Sequence, residues 1–522
     1  MWGDKALSLL ERMVNSDGFQ LDEKMKRSIS YAEWAEHARL HDVNSGMATW
    51  KLRKDGKHYD AADITRRRNW LNKHCDEGAI EEVFFTLNEG IHGNMAGMAN
   101  PKLYSRTKYG TKHLVSDYIA AIVEALEVVA AAPAARIASA DKLDFFRRAS
   151  HCYGRSALTL SGGGGLIYFH HGVVDALVEE DLLPTVLSGS SAGAIICAQL
   201  SLLKDDQLKG HFVKKRHRVA SPIMPSDAFR HSLNLPRKID YAEMCDQLVG
   251  DEIGDTTFQE AFEHSGRHIN ISVASADQHH RARLLNAITS PNVTIRSACR
   301  ASATIPALSE PVMLEAKNSA GSLKPFLPNQ RWIDGVLGDD LPMKRLSRLY
   351  GVNHFIVSQI NPFSVIAPYL RSDPKSDHES ILSQSSSLFF ATLREAARFS
   401  QKIFLPFGSG ASDTFLSVFQ QFAGQNYAGD ITISHRFQRS SLRQMMFDYS
   451  GEDEIAEALH AGRLETWQRI EQIRNATIIS QAIDEILSQL ESNVSDTRQR
   501  RRSTSSARNM PVDATIGHRR AG

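Results

Sequence analysis

The sequence predicts an α/β fold: a mostly parallel sheet in a three-layer α/β/α arrangement, preceded by a helical N-terminal domain and followed by a helical C-terminal region. Three observations lead there. From about residue 155, short β-branched runs alternate with helical stretches, the pattern of a parallel sheet covered on both faces. Residues 1–150 carry helical periodicity without strand alternation. Two glycine-rich turns, Gly162–Gly165 and Gly189–Gly193, each follow a strand candidate directly, at the strand ends where open α/β sheets place their sites.

In the N-terminal part, Ile80, Val83, Phe84, Leu87 and Ile91 fall on one helical face, and Leu114, Tyr118, Ala121, Ile122, Ala125 and Val129 repeat the pattern. Between them, the glycines and Pro101 of residues 92–104 predict a loop. The expected role is a helical layer packed on the next domain. Strand candidates for that domain, residues 155–362, are 157–160, 185–188, 268–274, 331–333 and 354–358. Residues 363–494 read as helical, with an apolar region around Leu388, Phe389, Phe390 and Leu393. The Arg-rich tail, residues 495–522, is poor in apolar residues and predicts disorder.

At 522 residues the chain has room for two or more domains. Its composition, 42% hydrophobic and 23% charged, is that of an ordinary globular protein. A net charge of +1 argues against a nucleic-acid partner held by bulk electrostatics. Cys75, Cys152, Cys197, Cys245 and Cys299 show no C-x-x-C spacing, which fits free thiols in a reducing compartment. Asp4, Lys5, Glu11 and Arg12 stand where the apolar core of a secretory signal would lie. The most apolar long stretch, 118–140, is broken by Glu124, Glu127, Pro133 and Arg136, short of the about 20 apolar residues a membrane span needs. The expectation is a cytoplasmic protein that meets lipid, if at all, from the side. The basic stretch from Lys204 to Arg218, followed by Pro222–Pro225, reads first as a solvated face and a loop, and second as a dock for anionic lipid.

The chemistry concentrates in residues 157–203. Gly189-Ser190-Ser191-Ala192-Gly193 is a G-x-S-x-G pentad between an apolar strand and a helix start, the context that exposes a serine hydroxyl on a sharp elbow. Gly162, Gly163, Gly164 and Gly165 follow the neighbouring strand and leave backbone amides free to hold a developing oxyanion. A dinucleotide loop fits worse, because Ile167 stands where G-x-G-x-x-G requires its last glycine. The base for the serine is open at this level. His170 shares a helical face with Leu166, Val173 and Leu177 and reads as a core histidine. His279 and His280 fall in a predicted turn. Asp334-Gly335 ends an apolar strand, and by itself reads as a turn. There is no H-E-x-x-H, so neither a metal nor a cofactor is expected.

The run G-G-G-G, then G-S-S-A-G, then D-G resembles the patatin-like phospholipase family, whose serine nucleophile pairs with an aspartate. Residues 93–104, Ser290–Val293, Ala301–Pro306, Asp340-Leu341-Pro342, Val352–Gln359 and Gln425–Ile433 are similar to the subgroup of triacylglycerol lipases acting on fungal and plant storage lipid. The resemblance implies Ser191 as nucleophile and Asp334 as base. Gly189 and Gly193 would form the elbow, and Gly335 would complete the Asp-Gly motif. The oxyanion would be held by the Gly162–Gly165 loop, chiefly by the amides of Gly163 and Gly164. It implies an acylglycerol or phospholipid substrate met at a membrane or lipid-droplet surface. Triacylglycerol hydrolysis is the expected activity; phospholipase A or lysophospholipid acyl transfer is the nearest neighbour, and an idle lipid-binding protein is the rival. One position departs from the pattern: Ile167 stands where the family usually has a further glycine.

Overall fold

A computed structural model describes residues 18–91, 93–209, 241–276, 282–304, 309–361, 364, 425, 427–445 and 451–508. The expected His279 and His280 turn, the Pro222–Pro225 loop and the apolar region at 388–393 lie outside these residues.

The centre is a seven-stranded sheet with the path β4-β3-β2-β1-β8-β9, in which β7 adds to β3. The strands are β1 (Arg155–Leu160), β2 (Val186–Gly189), β3 (His268–Ser275), β4 (Arg283–Leu285), β7 (Trp332–Asp334), β8 (Val352–Gln359) and β9 (Ile431–Ser434); β5 (Leu314–Lys317) and β6 (Leu323–Phe326) form a separate hairpin. Each of the five predicted strands overlaps one of these. The central four, β3-β2-β1-β8, run parallel, as does β9 on β8. Their inner residues, among them Ala157, Leu158, Leu160, Val186, Leu187, Ile271 and Ile356, are fully or almost fully buried. That is why they read as continuous apolar runs rather than alternating ones. The outer edge of β3 is closed by β4 and β7, both antiparallel.

This edge arrangement positions the site. Leu160 pairs with Gly189, Gly189 with Ile271, and Val273 with Asp334. The carboxyl ends of β1 and β2 are therefore level. β7 pairs in reverse with Val273–Ser275, the last residues of β3, which run past the level of Gly189, so Asp334, opposite Val273, lies near the same end of the sheet.

The helical periodicities of the N-terminal part are observed, with one adjustment. Helix His113–Ala131 buries Leu114, Tyr118, Ala121, Ile122, Ala125 and Val129, as spaced. Helix Ile80–Asn88 buries Val83 and Leu87 but stops before Ile91, where Gly90 takes φ 125°. Ile91 is still buried, reached through the turn instead of the helix face. The N-terminal helices build their own core, into which the last helix of the chain inserts Ile479, Ile483 and Ile486.

The C-terminal helices thus tie the two ends of the chain together. Helix Glu452–Trp467 lies on helix Ile167–Glu179 where Gly172 faces the Leu459 carbonyl and Gly462 faces the Phe169 carbonyl, so closely that a β-carbon would stand 1.9 Å and 2.2 Å from those oxygens. Arg463, from the same helix, pairs with Asp175 at 3.3 Å and Glu179 at 3.1 Å. The final helix runs Ile470–Arg508, so the disorder expected from residue 495 does not describe its first part. A helix needs only local i to i−4 hydrogen bonds, and a polar sequence without helix breakers can continue one already started. Among the described residues no helix is long and apolar enough to cross a membrane.

Candidate active site

Ser191 sits between β2 and helix Ala192–Ser201 with φ 50° and ψ −116°, a positive φ that a residue with a side chain rarely adopts. Such strain costs on the order of 1–3 kcal/mol and persists only where the surroundings enforce it. They do so here through close packing. A β-carbon at Gly189 would lie 2.2 Å from the Gly193 backbone, and one at Gly193 would lie 2.2 Å from the Leu160 carbonyl. Both glycines of the pentad are thus required for the helix start to press against β1 and β2. The Ser191 amide donates to Ser302 Oγ at 2.9 Å, and Ser302 Oγ donates to the Ser272 carbonyl at 2.7 Å. The serine also heads a helix whose N-terminal dipole favours negative charge beside it.

Asp334 is 6% exposed, and Ser191 lies near enough to lower the pKa of its carboxyl. Its Oδ1 accepts from the Val336 amide at 2.9 Å, and its own amide donates to the Thr304 carbonyl at 2.9 Å. Burial pushes the carboxyl up to about 7, opposed by the hydrogen bond from Val336 and by the neighbouring Ser191, and aided by the nearby charge of Asp340. At Gly335 a β-carbon would meet the Ser272 carbonyl at 2.1 Å. The glycine of the Asp-Gly pair is therefore fixed by contact with β3, beyond any turn preference.

The glycine loop closes the other side. Gly162 uses its amide to donate to Asp340 Oδ1 at 2.9 Å. Gly164 takes φ 57°, and Gly163 has no room for a side chain, since a β-carbon would stand 2.6 Å from Ile360 Cγ1. Gly165 begins to enter the core, and Leu166 and Ile167 follow it there. Ile167, at the start of helix Ile167–Glu179, is completely buried. The residue that departs from the family pattern therefore fills core space beneath the loop.

His170 is buried behind the same loop, with Nδ1 2.7 Å from Ser358 Oγ and Nε2 2.8 Å from the Ser161 carbonyl. Facing a carbonyl, Nε2 carries the proton, and Nδ1 accepts from the serine hydroxyl. Burial holds the ring down to about 3. It is a satisfied, neutral core histidine, as its spacing suggested. Among the described residues, no cluster of three or more His, Cys, Asp or Glu is placed to hold a metal.

Two residues of the site carry no signal of their own in the sequence. Ser302 lies inside the Ala301–Pro306 segment and Asp340 inside Asp-Leu-Pro, both noted only for their resemblance. Asp340 is 1% exposed and accepts from Gly162, from Ser190 Oγ and from Asn361 Nδ2 (3.1 Å), while its amide donates to Gln425 Oε1 at 3.0 Å.

Residues 158–346 match the patatin-like phospholipase family, and residues 12–151 match a domain of unknown function, DUF3336. A patatin-like phospholipase domain-containing protein of Neosartorya fischeri is 30% identical over 508 residues, covering 91% of this chain and 69% of that protein. The chain belongs to the patatin-like phospholipase family. A second family member, from Aspergillus fumigatus, is 30% identical with the same coverage, 91% and 69%. One from Pyricularia oryzae is 34% identical over 365 residues, 66% of this chain and 46% of that protein. Membership in the patatin-like phospholipase family supports a lipid acyl hydrolase activity.

Proposed function

We propose that the protein is a serine/aspartate-dyad lipid acyl hydrolase that cleaves carboxylic esters of acylglycerols through an acyl-enzyme, in the manner of a triacylglycerol lipase. One observation carries the reading: a strained serine at a strand-to-helix elbow lies beside a buried carboxylate whose acidity it alters. Asp334 takes the Ser191 proton as the hydroxyl attacks the ester carbonyl, and returns it to the departing alcohol. Water, deprotonated by the same carboxylate, then cleaves the acyl-enzyme. A carboxyl poised at about 7 is a far stronger base than an exposed aspartate, which suits it to this work. The oxyanion is held by the amides of Gly163 and Gly164 in the Gly162–Gly165 loop, with the helix N-terminus behind Ser191 adding favourable field. The substrate is met at a membrane or lipid-droplet surface, from the cytoplasmic side.

A fluorophosphonate probe tests the nucleophile. Wild type labels and Ser191→Ala does not; an unlabelled wild type would hand the case to a lipid-binding protein that retains the fold. Turnover of purified protein on triacylglycerol emulsions, phospholipid vesicles and lysophospholipid with acyl donor separates lipase from phospholipase A and acyltransferase. Faster turnover of phospholipid than of triacylglycerol would overturn the acylglycerol assignment.

A further inference from the structure

Asp340 is a buried acid that the acyl-transfer chemistry does not use, and it joins three separate segments. Oδ1 accepts from the Gly162 amide, at the entrance of the glycine loop, and from the hydroxyl of Ser190, the residue before the nucleophile. Oδ2 accepts from Asn361, just beyond β8. The main chain on either side is held too: Gln425 accepts from the Asp340 amide at 3.0 Å and donates to the Val336 carbonyl at 2.8 Å. A carboxylate has about four acceptor sites and no donor, so it suits a place where N–H and O–H groups converge from several elements. Hydrogen bonds to a charged acceptor are also about twice as strong as neutral ones.

We propose that Asp340 is a positioning residue that clamps the glycine loop to the nucleophile elbow, so that the next amides along the loop, those of Gly163 and Gly164, face the reacting carbonyl. This inference rests on the serine/aspartate reading above. Its geometric basis is the spending of the Gly162 amide. With that donor turned inward to Asp340, the chain leaves Gly162 in a fixed direction, and the following two peptide groups inherit it. The same contact fixes Ser190 relative to Gly162, hence nucleophile relative to oxyanion donors. A displacement of about 1 Å between such groups is enough to cost a hundredfold in rate.

The clamp has an electrostatic consequence for the base. Asp340 is the charged group acting on Asp334, and its negative charge raises that carboxyl. Asp339 acts on Asp340 in turn and is itself paired with Arg345 at 3.6 Å. Among the described residues, the remaining polar groups held against the dyad and the clamp are neutral: Ser272, Ser302 and Thr304 beside Ser191 and Asp334, and Ser190 and Asn361 beside Asp340. His170, behind the loop, is uncharged throughout the working range.

Two substitutions test the proposal, with p-nitrophenyl butyrate as substrate and thermal melting as a control for folding. Asp340→Ala removes every acceptor and is expected to lower kcat by roughly a hundredfold, with KM changed by no more than a few fold. Asp340→Asn keeps Oδ1 for Gly162 and Ser190, with the Asn361 amide turned to match. It is expected to recover kcat to within about tenfold of wild type while moving the acid limb of the kcat/KM profile to lower pH, because the charge that raised Asp334 is gone. A folded Asp340→Ala variant with wild-type kcat overturns the clamp. A folded Asp340→Asn variant that loses roughly a hundredfold or more in kcat also overturns it, and this measurement alone decides the matter if the alanine variant does not fold. A wild type that neither hydrolyses the ester nor labels with fluorophosphonate fails the dyad reading instead, which is a different result.

Discussion

Ser302 holds Ser191 by its backbone: the hydroxyl of Ser302 accepts the Ser191 amide at 2.9 Å and passes its own proton to the Ser272 carbonyl at 2.7 Å. Ser191 is thereby tied to β3, the strand that also receives Asp334. Two residues further on, the Thr304 carbonyl accepts the Asp334 amide. One short segment, Ser302 to Thr304, therefore sets the separation of serine and aspartate without contributing a reacting group.

Replacing Ser302 with Ala leaves the Ser191 amide buried without a partner. An unsatisfied buried donor costs about 1–3 kcal/mol. Ser302→Ala should lose stability by that amount in urea denaturation and also lose kcat, since the elbow is free to relax. Unchanged stability would mean that water replaces the hydroxyl.

The backbone strain at Ser191 gives a second expectation. Both Ser191→Ala and Ser191→Gly remove the hydroxyl, but only glycine accepts φ 50° without steric cost. The glycine variant should therefore unfold at higher denaturant concentration than the alanine variant, by about 1 kcal/mol in free energy. Equal midpoints would show that the strain is not stored at this residue.

Activity and stability should respond to pH in opposite senses. In the proposed mechanism Asp334 works ionised, so kcat/KM should rise with pH through an apparent pKa of about 7, the value to which burial raises it. A carboxyl whose folded pKa lies above its unfolded one binds more protons folded than unfolded, so stability falls as pH rises. For Asp334 that window runs from the ordinary carboxyl value of 3.8 to about 7, and for Asp340 from 3.8 to about 6. Asp334→Asn should abolish ester turnover, flatten this fall and be the more stable protein at pH 8, by a margin on the order of a few kcal/mol. Retained activity in that variant would move the base role to another group.

At the crossing of Gly172 and Gly462 the two helices leave no room for a side chain. A β-carbon at Gly172 would overlap the Leu459 carbonyl at 1.9 Å, and backbone cannot swing aside as a side chain can. Gly172→Ala should lower stability by about 1–3 kcal/mol, or more, by forcing the helices apart. The change should appear as a lower melting temperature with kcat largely kept. A neutral result would show that helix Glu452–Trp467 shifts without loss.

The legible parts of this protein are those governed by local pattern. Apolar β-branched runs marked β1, β2, β3, β7 and β8, because strands buried on both faces must be apolar along their whole length. The pentad around Ser191 was readable because an elbow this sharp needs small residues at fixed offsets. His170 was readable as core from the residues sharing its helical face. The short β4, three residues long, offered no such pattern, and its place depends on the edge of β3 that it covers.

Sequence by itself determined the α/β class, the two glycine turns at strand ends and the serine between strand and helix, since each follows from periodicity or from the φ and space that neighbouring atoms allow. Tertiary structure decided the rest. By pattern alone Asp334-Gly335 was a turn; it comes near Ser191 only because β7 pairs with the end of β3 that runs past Gly189, at the carboxyl end of β2. Asp340 lies 178 residues from Gly162 and 150 from Ser190, and no spacing rule links positions so far apart. Their meeting is fixed by the register of the sheet, which depends on packing across the whole domain and not on any one stretch of chain.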